Sequence, residues 1–181
     1  TIDRTVSGPG ARLLAVWLGA PLTDTAAIAD RHDAVQFMVD HERLRADLRD
    51  VLASAPDMER ALSRLTIGRG GPRDLSAIRD ALSGARRIAA MIDGAANLGL
   101  PNNLDTAKAG LGEHGSLIER LERALAPDLP MLARDGGFIA DGYFAALDEA
   151  VAFRDQSRRV IAELQARYVD ETGIQTLKVR H

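Results

Sequence analysis

The sequence predicts a mainly α-helical protein, an irregular multi-helix bundle with one long projecting helix and short strand segments. Two observations support this fold class. Of the 181 residues, 74 are Ala (30), Leu (23) or Arg (21), and all three residue types favour helices. Apolar residues also recur at helical spacing between short segments of Gly and Pro, which end one helix and precede the next.

Composition and charge exclude several classes of protein. The chain has no Cys, which rules out disulfides, zinc–thiolate sites, iron–sulfur clusters and cysteine nucleophiles. Its net charge of −3 and pI near 5.8 disfavour a protein that coats DNA with a basic surface. No stretch approaches the roughly 18 apolar residues that a membrane span needs. We therefore expect a soluble, cytoplasmic protein with no membrane partner.

Gly and Pro divide the first third of the chain into three predicted helices. The segments 8–10 and 19–21 bracket a short helix over 11–18. A second helix is capped by Thr23 or Asp24, and its apolar stripe continues after a bend near Asp40. Pro56-Asp57 ends that stripe and caps a third helix.

The middle of the chain predicts two longer helices. Residues 68–72 form a turn, and Pro72 begins a fourth helix that ends near Gly94. An Asn- and Gly-rich segment, 94–103, precedes a fifth helix over 104–126. Two strand-like segments, 131–140 and 174–181, interrupt the helical pattern.

The longest predicted helix lies between the two strand-like segments. It runs from Asp141, as N-cap, to Thr172, and Gly173 stops it. About 31 residues at 1.5 Å each give a rod of roughly 45 Å, longer than a compact domain of this size is wide. Residues 154–159 include no apolar side chain, which is typical of a connecting helix and not of a core helix. We therefore expect a helical core over 1–140, the rod over 141–173 and a short extended run over 174–181.

Enzyme chemistry has no support in the sequence. The Gly-rich turn 68–72 lacks the Lys of a phosphate loop and follows a helix, so a helix–turn–helix connection explains it better. No Ser lies in a nucleophile elbow, and adjacent carboxylates on a helix do not converge. The histidines have no metal-binding spacing; they are His32, His41, His114 and His181. We expect no catalytic, cofactor-binding or metal-binding residue.

A basic cluster is the one candidate binding site. Arg60, Arg64, Arg69 and Arg73 follow one another without an intervening acid, and Arg60 and Arg64 share a helix face. Such a patch could contact a phosphate backbone or an acidic partner. The alternative is a solvated surface balanced by the nearby acids, and the absence of interleaved aromatics argues against stacking on single strands.

Trp17, the only Trp, ends the first helix. Its position fits core packing and a joint with a neighbouring domain equally well.

Three stretches resemble the MutS family of DNA mismatch repair proteins, in the core or lever domain. The first, Asp3 to Leu22, is similar to that family's D-x-T-x-T-x-x-G-x-R-x-L-x-x-W-L-x-x-P-L segment, and the second, Asp57 to Leu75, to its D-x-E-R…R-[LI]…P-R-D-L. The third, Arg134 to Asp148, is similar to R-D-G-G-x-I-x-x-G-Y-x-x-x-L-D. Thr172-Gly173-Ile174 with Leu177-Lys178-Val179 resembles the stretch where the family's clamp begins.

The resemblance implies a mechanical role. In that family, lever helices join ATPase domains to clamps that close around DNA, so 141–173 would be the outgoing lever and 174–181 the start of the clamp. No catalytic residue carries over, and ATP and Mg would be cofactors of the longer parent only. Its expected partners are mismatched double-stranded DNA, a second copy in a homodimer and MutL, in the cytoplasm and at the nucleoid.

The matching motif residues are expected to be structural, with the glycines in turns and the other side chains in local packing and hydrogen bonds. They are Gly10, Arg12, Trp17, Arg134, Asp135, Gly136, Gly137, Gly142 and Tyr143. The alternative function is a DNA-backbone-binding helical module that uses the basic cluster.

Overall fold

The computed structural model of this chain describes residues 2–178 and consists of helices joined by short turns. The α-helices are α1 (Gly8–Gly19), α2 (Thr25–Asp40), α3 (Glu42–Ser54), α4 (Met58–Thr66), α5 (Pro72–Gly94), α6 (Asn102–Gly110), α7 (Gly115–Ala124) and α8 (Ala145–Thr172). Two 3-10 helices cover Ala96–Leu98 and Ala133–Asp135. The predicted mainly α class is confirmed.

Local capping chemistry determines where several helices begin. The Oδ1 of Asp24 accepts a hydrogen bond from the Ala27 N–H at 2.8 Å, and Asp57 does the same for the Arg60 N–H at 3.2 Å. Both carboxylates thus satisfy an N–H group that has no partner within its helix. Pro72 occupies the first position of α5, where its missing N–H costs nothing. These starts agree with the sequence prediction.

The predicted bend near Asp40 is a complete break between two helices. His41, with φ −112° and ψ 65°, is not helical, and α3 begins at the next residue. The His41 ring lies 4.2 Å from that of Phe37, centroid to centroid, and Phe37 is buried. The paired rings occupy the junction at which the chain changes direction.

The single helix predicted over 104–126 is wrong, because the structure has two helices, α6 and α7, in this region. Residues 111–114 separate α6 from α7, and Gly112 in this segment has φ +63°. A left-handed residue cannot continue a right-handed helix, so the apolar stripe of α7 belongs to a separate element.

The predicted strands are also wrong within the described residues, none of which lies in a β-strand. The segment 131–140 contains the 3-10 helix Ala133–Asp135, followed by Gly136 and Gly137 with φ near +70°. Two successive residues at positive φ prevent a regular extended run. Residues 175–176 form a turn, and 179–181, the rest of the second predicted strand, lie outside the described residues.

The long helix α8 ends where predicted but begins later. Gly173 has φ +68°, and its N–H donates to the Val169 carbonyl at 2.9 Å, a left-handed C-cap. Asp141 is not the N-cap: Gly142, at φ +79°, makes a turn first, and α8 starts after Phe144. Its 28 residues correspond to a length of about 42 Å.

The chain divides into two compact units, Thr1–Phe138 and Ile139–His181. In the first unit α5 packs against α3, α4, α6 and α7, and the buried side chains include Leu48, Val51, Leu82, Ile92 and Ile118. The second unit contains α8, none of whose residues is buried. Among the described residues, no helix is both long and apolar enough to cross a membrane.

Candidate functional site

An ion-pair cluster joins the beginning of the chain to α4. The guanidinium of Arg12 donates to both carboxylate oxygens of Asp57, at 2.7 and 3.1 Å, and to the Oε2 of Glu59 at 2.6 Å. The bidentate hydrogen bond from Arg12 lowers the pKa of Asp57 to about 2, with a smaller contribution from the Arg60 N–H. The motif residue Arg12 therefore fixes α1 to the N-terminus of α4.

A second pair links α4 to α5 across the Gly-rich turn. The Nε of Arg64 donates to the Oδ1 of Asp74 at 2.9 Å, and a second guanidinium nitrogen contacts the same oxygen. The other carboxylate oxygen accepts from the Gly71 N–H at 2.9 Å, so the Asp74 side chain caps the start of α5. Arg64 chiefly, and Gly71 secondarily, lower the pKa of the nearly buried Asp74.

The turn between these helices requires glycine at Gly70. A Cβ atom there would lie 2.8 Å from the Leu65 Cα and closer still to the Leu65 side chain, which is an impossible approach. Gly68 also has φ +70°. These glycines allow the chain to reverse tightly between α4 and α5, so the structure gives them a role in backbone geometry.

The four arginines of the basic cluster differ in their surroundings. Arg64 binds Asp74, as described, and the Nε of Arg60 lies 3.5 Å from the Oδ2 of Asp57. The Nε of Arg73 donates to the Leu129 carbonyl at 3.2 Å. Arg69 is exposed, and its side chain has no partner among residues 2–178. Nearby acids and carbonyls thus occupy three of the four side chains.

The Arg-Asp-Gly-Gly motif forms a tight turn. Arg134 and Asp135 close the second 3-10 helix, and their exposed side chains form no hydrogen bond within the first unit's described residues, 2–138. The N–H of Gly136 donates to the Ala133 carbonyl at 3.2 Å. The structure therefore supports the expected turn role of Gly136 and Gly137, which both have positive φ.

Gly142 and Tyr143 form the turn that precedes α8. The Gly142 N–H donates to the Oδ2 of Asp148 at 3.2 Å, and the Tyr143 N–H donates to the Ala140 carbonyl at 3.1 Å. Asp148 lies in the first turn of α8, where a carboxylate also interacts favourably with the positive end of the helix dipole. Gly10, a motif residue near the beginning of the chain, has a similar role at α1. Its N–H donates to the Ser7 hydroxyl at 3.2 Å, which caps the first turn of that helix.

Trp17 is not a core residue. The residue is 41% exposed, and the guanidinium carbon of Arg31 lies 3.8 Å from the ring centroid, a cation–π contact between α1 and α2. Sequence reasoning missed Arg31, since nothing in its neighbourhood indicates a partner on another helix. It also missed the ion-pair roles of Asp57 and Asp74, although both stand inside the quoted motifs.

The described residues offer no metal centre. Within 2–178, no group of three or more His, Asp or Glu side chains is arranged so that it could hold a metal ion. The paired carboxylates bind arginine or lysine side chains, an amide, a hydroxyl or backbone N–H groups.

Comparison with known proteins connects this arrangement to one family. The profile of the family MutS domain III matches residues 1–178. The DNA mismatch repair protein MutS of Rhodopseudomonas palustris (strain BisB5) is 53% identical over 99% of this chain, and that of Rhizobium meliloti (strain 1021) is 50% identical over all of it. The MutS of Nitrobacter winogradskyi is 49% identical over 99% of the chain.

The chain spans about a fifth of the length of these relatives. The match covers the α1–α4 ion pairs, the α4–α5 turn, the Arg-Asp-Gly-Gly turn and all of α8. The resemblance read from the sequence motifs is thereby confirmed, and the chain belongs to the MutS domain III family.

Proposed function

We propose that this chain is the mechanical connection within a MutS mismatch repair protein, in which α8 transmits the nucleotide state of one region to the DNA-binding state of another. The observation that carries the proposal is α8 itself, a rod of about 42 Å in which no residue is buried. A helix of this kind is stiff along its axis and is not needed to fill a core. Coupling between distant sites requires an element whose position both sites can bias.

The finer assignments belong to the same proposal. Residues 1–140 would form the core of the domain, 141–173 the outgoing lever and 174–181 the beginning of the clamp. The chain would contribute no catalytic group, while the parent would use ATP and Mg, act on mismatched DNA, form a homodimer and bind MutL in the cytoplasm. The names of the relatives support DNA mismatch repair as the context.

A break in the rod tests the lever role. In the full-length parent, Ser157→Pro places proline in the middle of α8 at an exposed position, where it removes one helical hydrogen bond and kinks the helix. Ser157→Ala is the matched control, because it keeps the helix continuous. The measurement is the ratio of mismatched-DNA affinities with and without ATP.

We expect the proline variant to lose most of this ratio, which for allosteric proteins is about 5- to 150-fold. ATP hydrolysis without DNA should persist, since the proposal assigns no nucleotide-binding residue to this chain. A proline variant with the coupling of the alanine control would contradict the lever role.

Direct contact of the basic cluster with DNA phosphates is the rival proposal. The unpaired side chain of Arg69 is the observation in its favour, whereas the partners of Arg60, Arg64 and Arg73 weigh against it. Arg69→Ala should reduce the salt dependence of DNA binding by the parent by about one phosphate contact if the rival is right. An unchanged salt slope leaves Arg69 as a solvated surface residue.

A further inference from the structure

A closed loop follows α7 along the chain. The Ala126 N–H donates to the Phe138 carbonyl at 3.0 Å, so the two ends of residues 126–138 are held together. Most residues between these ends are exposed, and the segment contains the Arg-Asp-Gly-Gly turn. A compact surface loop whose ends lie together is an Ω-loop, a kind of loop that often has a functional role. Phe138 is the last residue of the first unit, so the chain continues from this loop towards α8.

The 126–138 loop is attached to the beginning of α5. The Nε of Arg73 donates to the carbonyl of Leu129, which belongs to the loop, at 3.2 Å. Beside this bond the backbones of the Gly-rich turn and the loop come close together, because a Cβ atom at Gly71 would lie only 3.1 Å from the Met131 carbonyl oxygen. The loop therefore contacts the α4–α5 pair at two neighbouring points, and both contacts are made by main-chain atoms of the loop.

The electrostatics of α5 do not explain an arginine at position 73. Arg73 lies in the first turn of the helix, where the positive end of the helix dipole favours Asp74, the next residue, and disfavours a cation. Among residues 2–138, no carboxylate forms an ion pair with Arg73. Its guanidinium group instead bonds to a main-chain oxygen, at Leu129, and such a bond fixes the position of the backbone. Arg73 is therefore suited to holding the loop in place.

We infer that Arg73 is a positioning residue for the lever: it holds the 126–138 loop on the start of α5 and so gives the chain that leads into α8 a firm attachment to the core. A stiff helix couples two distant sites only if the segment before it moves together with the core. Gly142, at φ +79°, is a flexible point shortly before α8, so the attachment has to lie upstream of it. The inference rests on the lever role proposed above, and it assigns Arg73 to that role and not to DNA phosphates.

Two substitutions at position 73 separate the hydrogen bond from the charge. Arg73→Ala removes both of them. Arg73→Gln removes the charge but places an amide nitrogen at the same distance along the side chain as the arginine Nε, so the bond to the Leu129 carbonyl can still form. Arg69→Ala is the matched control, because it removes the same charge from the same turn, at a side chain without a partner among residues 2–138.

Both measurements use the full-length parent. The first is hydrogen exchange of the amides in residues 126–138, followed by mass spectrometry, and the second is the ratio of mismatched-DNA affinities with and without ATP. We expect Arg73→Ala to accelerate exchange in the loop by about fivefold and to lower the ratio by at least about threefold, because the loop loses its bond to α5. Arg73→Gln and Arg69→Ala should match the unmodified parent in both measurements.

Three results would overturn the inference. If exchange in the loop is the same in Arg73→Ala and Arg69→Ala, the bond does not hold the loop. If exchange accelerates but the affinity ratio is unchanged, the loop does not position the lever. If Arg73→Gln lowers the ratio as much as Arg73→Ala does, the charge at position 73 is responsible, as a contact with a DNA phosphate requires.

The Ser157→Pro variant distinguishes failure of this inference from failure of the lever role. If Ser157→Pro lowers the affinity ratio and Arg73→Ala does not, only the attachment through Arg73 is wrong. If Ser157→Pro leaves the ratio unchanged, the lever role is wrong, and the inference about Arg73 fails with it. Far-ultraviolet circular dichroism of each variant at position 73 checks that the helices are kept.

Discussion

The helix pair α4–α5 and the helix α8 have similar proportions of polar residues but are held in place by different means. In the pair, ion pairs, the hydrogen bond from the Gly71 N–H to Asp74 and a Gly-rich turn act together, and α5 buries Pro72, Asp74, Leu82, Gly84 and Ile92. α8 buries no residue, and no side chain caps its N-terminus. Tertiary contacts therefore stabilise α4–α5, whereas the stability of α8 depends on intrinsic helix propensity and on its end residues. Substitutions in the two regions should differ accordingly.

The largest expected difference comes from removing apolar side chains. Ile118 in α7, which packs on α5, is 1% exposed, and Ile118→Ala should lower the free energy of unfolding by about 3 kcal/mol through lost burial and a cavity. Val160→Ala in α8, at a site 48% exposed, should change it by less than about 0.5 kcal/mol. Urea denaturation of the chain measures both. Comparable losses would show that α8 is as tightly packed as the core.

A smaller effect is expected at Asp74, which binds Arg64 of α4 and the Gly71 N–H at the start of α5. Asp74→Ala removes the acceptor of Gly71 and Arg64 and should cost about 2 kcal/mol in unfolding free energy. Asp80→Ala on the same helix, at an exposed carboxylate that pairs with its neighbour Arg79, should cost less than about 0.5 kcal/mol. Thermal or urea denaturation near neutral pH compares the two variants.

The same carboxylate predicts a pH dependence. Since the pKa of Asp74 is lower in the folded chain than its ordinary 3.8, its stabilisation is present above pH 3.8 and is lost as the pH falls through the folded value. The Ala variant should therefore lose less stability than the unmodified chain over that acid range. Parallel pH profiles for the two proteins would contradict the ion pair.

The smallest effect is expected at the start of α8, and its sign is opposite. Phe144 occupies the N-cap and is 61% exposed, so Phe144→Ser supplies the missing side-chain acceptor at little cost in burial. We expect a gain of about 0.5–1 kcal/mol and a higher helix signal in far-ultraviolet circular dichroism. Phe144→Ala, which removes the ring without adding an acceptor, is the control. An equal gain in both variants would trace the effect to the lost ring.

Sequence reasoning succeeded where the determinant is local. The caps at Asp24 and Asp57, the start at Pro72 and the stop at Gly173 each depend on a residue and its immediate neighbours. The family was also recognisable, because its motifs keep their order and spacing along the chain. Apolar periodicity combined with caps therefore gave most of the helices.

The failures have a common physical cause. The strand predicted over 131–140 is absent because Gly136 and Gly137 adopt positive φ, which composition does not reveal. The pairing of Arg12 with Asp57 joins residues 45 positions apart, and periodicity does not specify which helix faces which. The same limit applies to the candidate site: the sequence grouped four arginines, but only the fold assigns acceptors to three of them, Arg60, Arg64 and Arg73.

The left-handed glycines next to α8 have a geometric consequence. Gly142 precedes the helix by three residues and Gly173 follows it directly, both at positive φ, so a stiff segment lies between two points that have no Cβ to restrict rotation. Over a length of about 42 Å, a tilt of about 5° at one end displaces the other by roughly 4 Å. That displacement approaches the rise of one helical turn, and a change of a few degrees in two backbone torsions is sufficient to produce it.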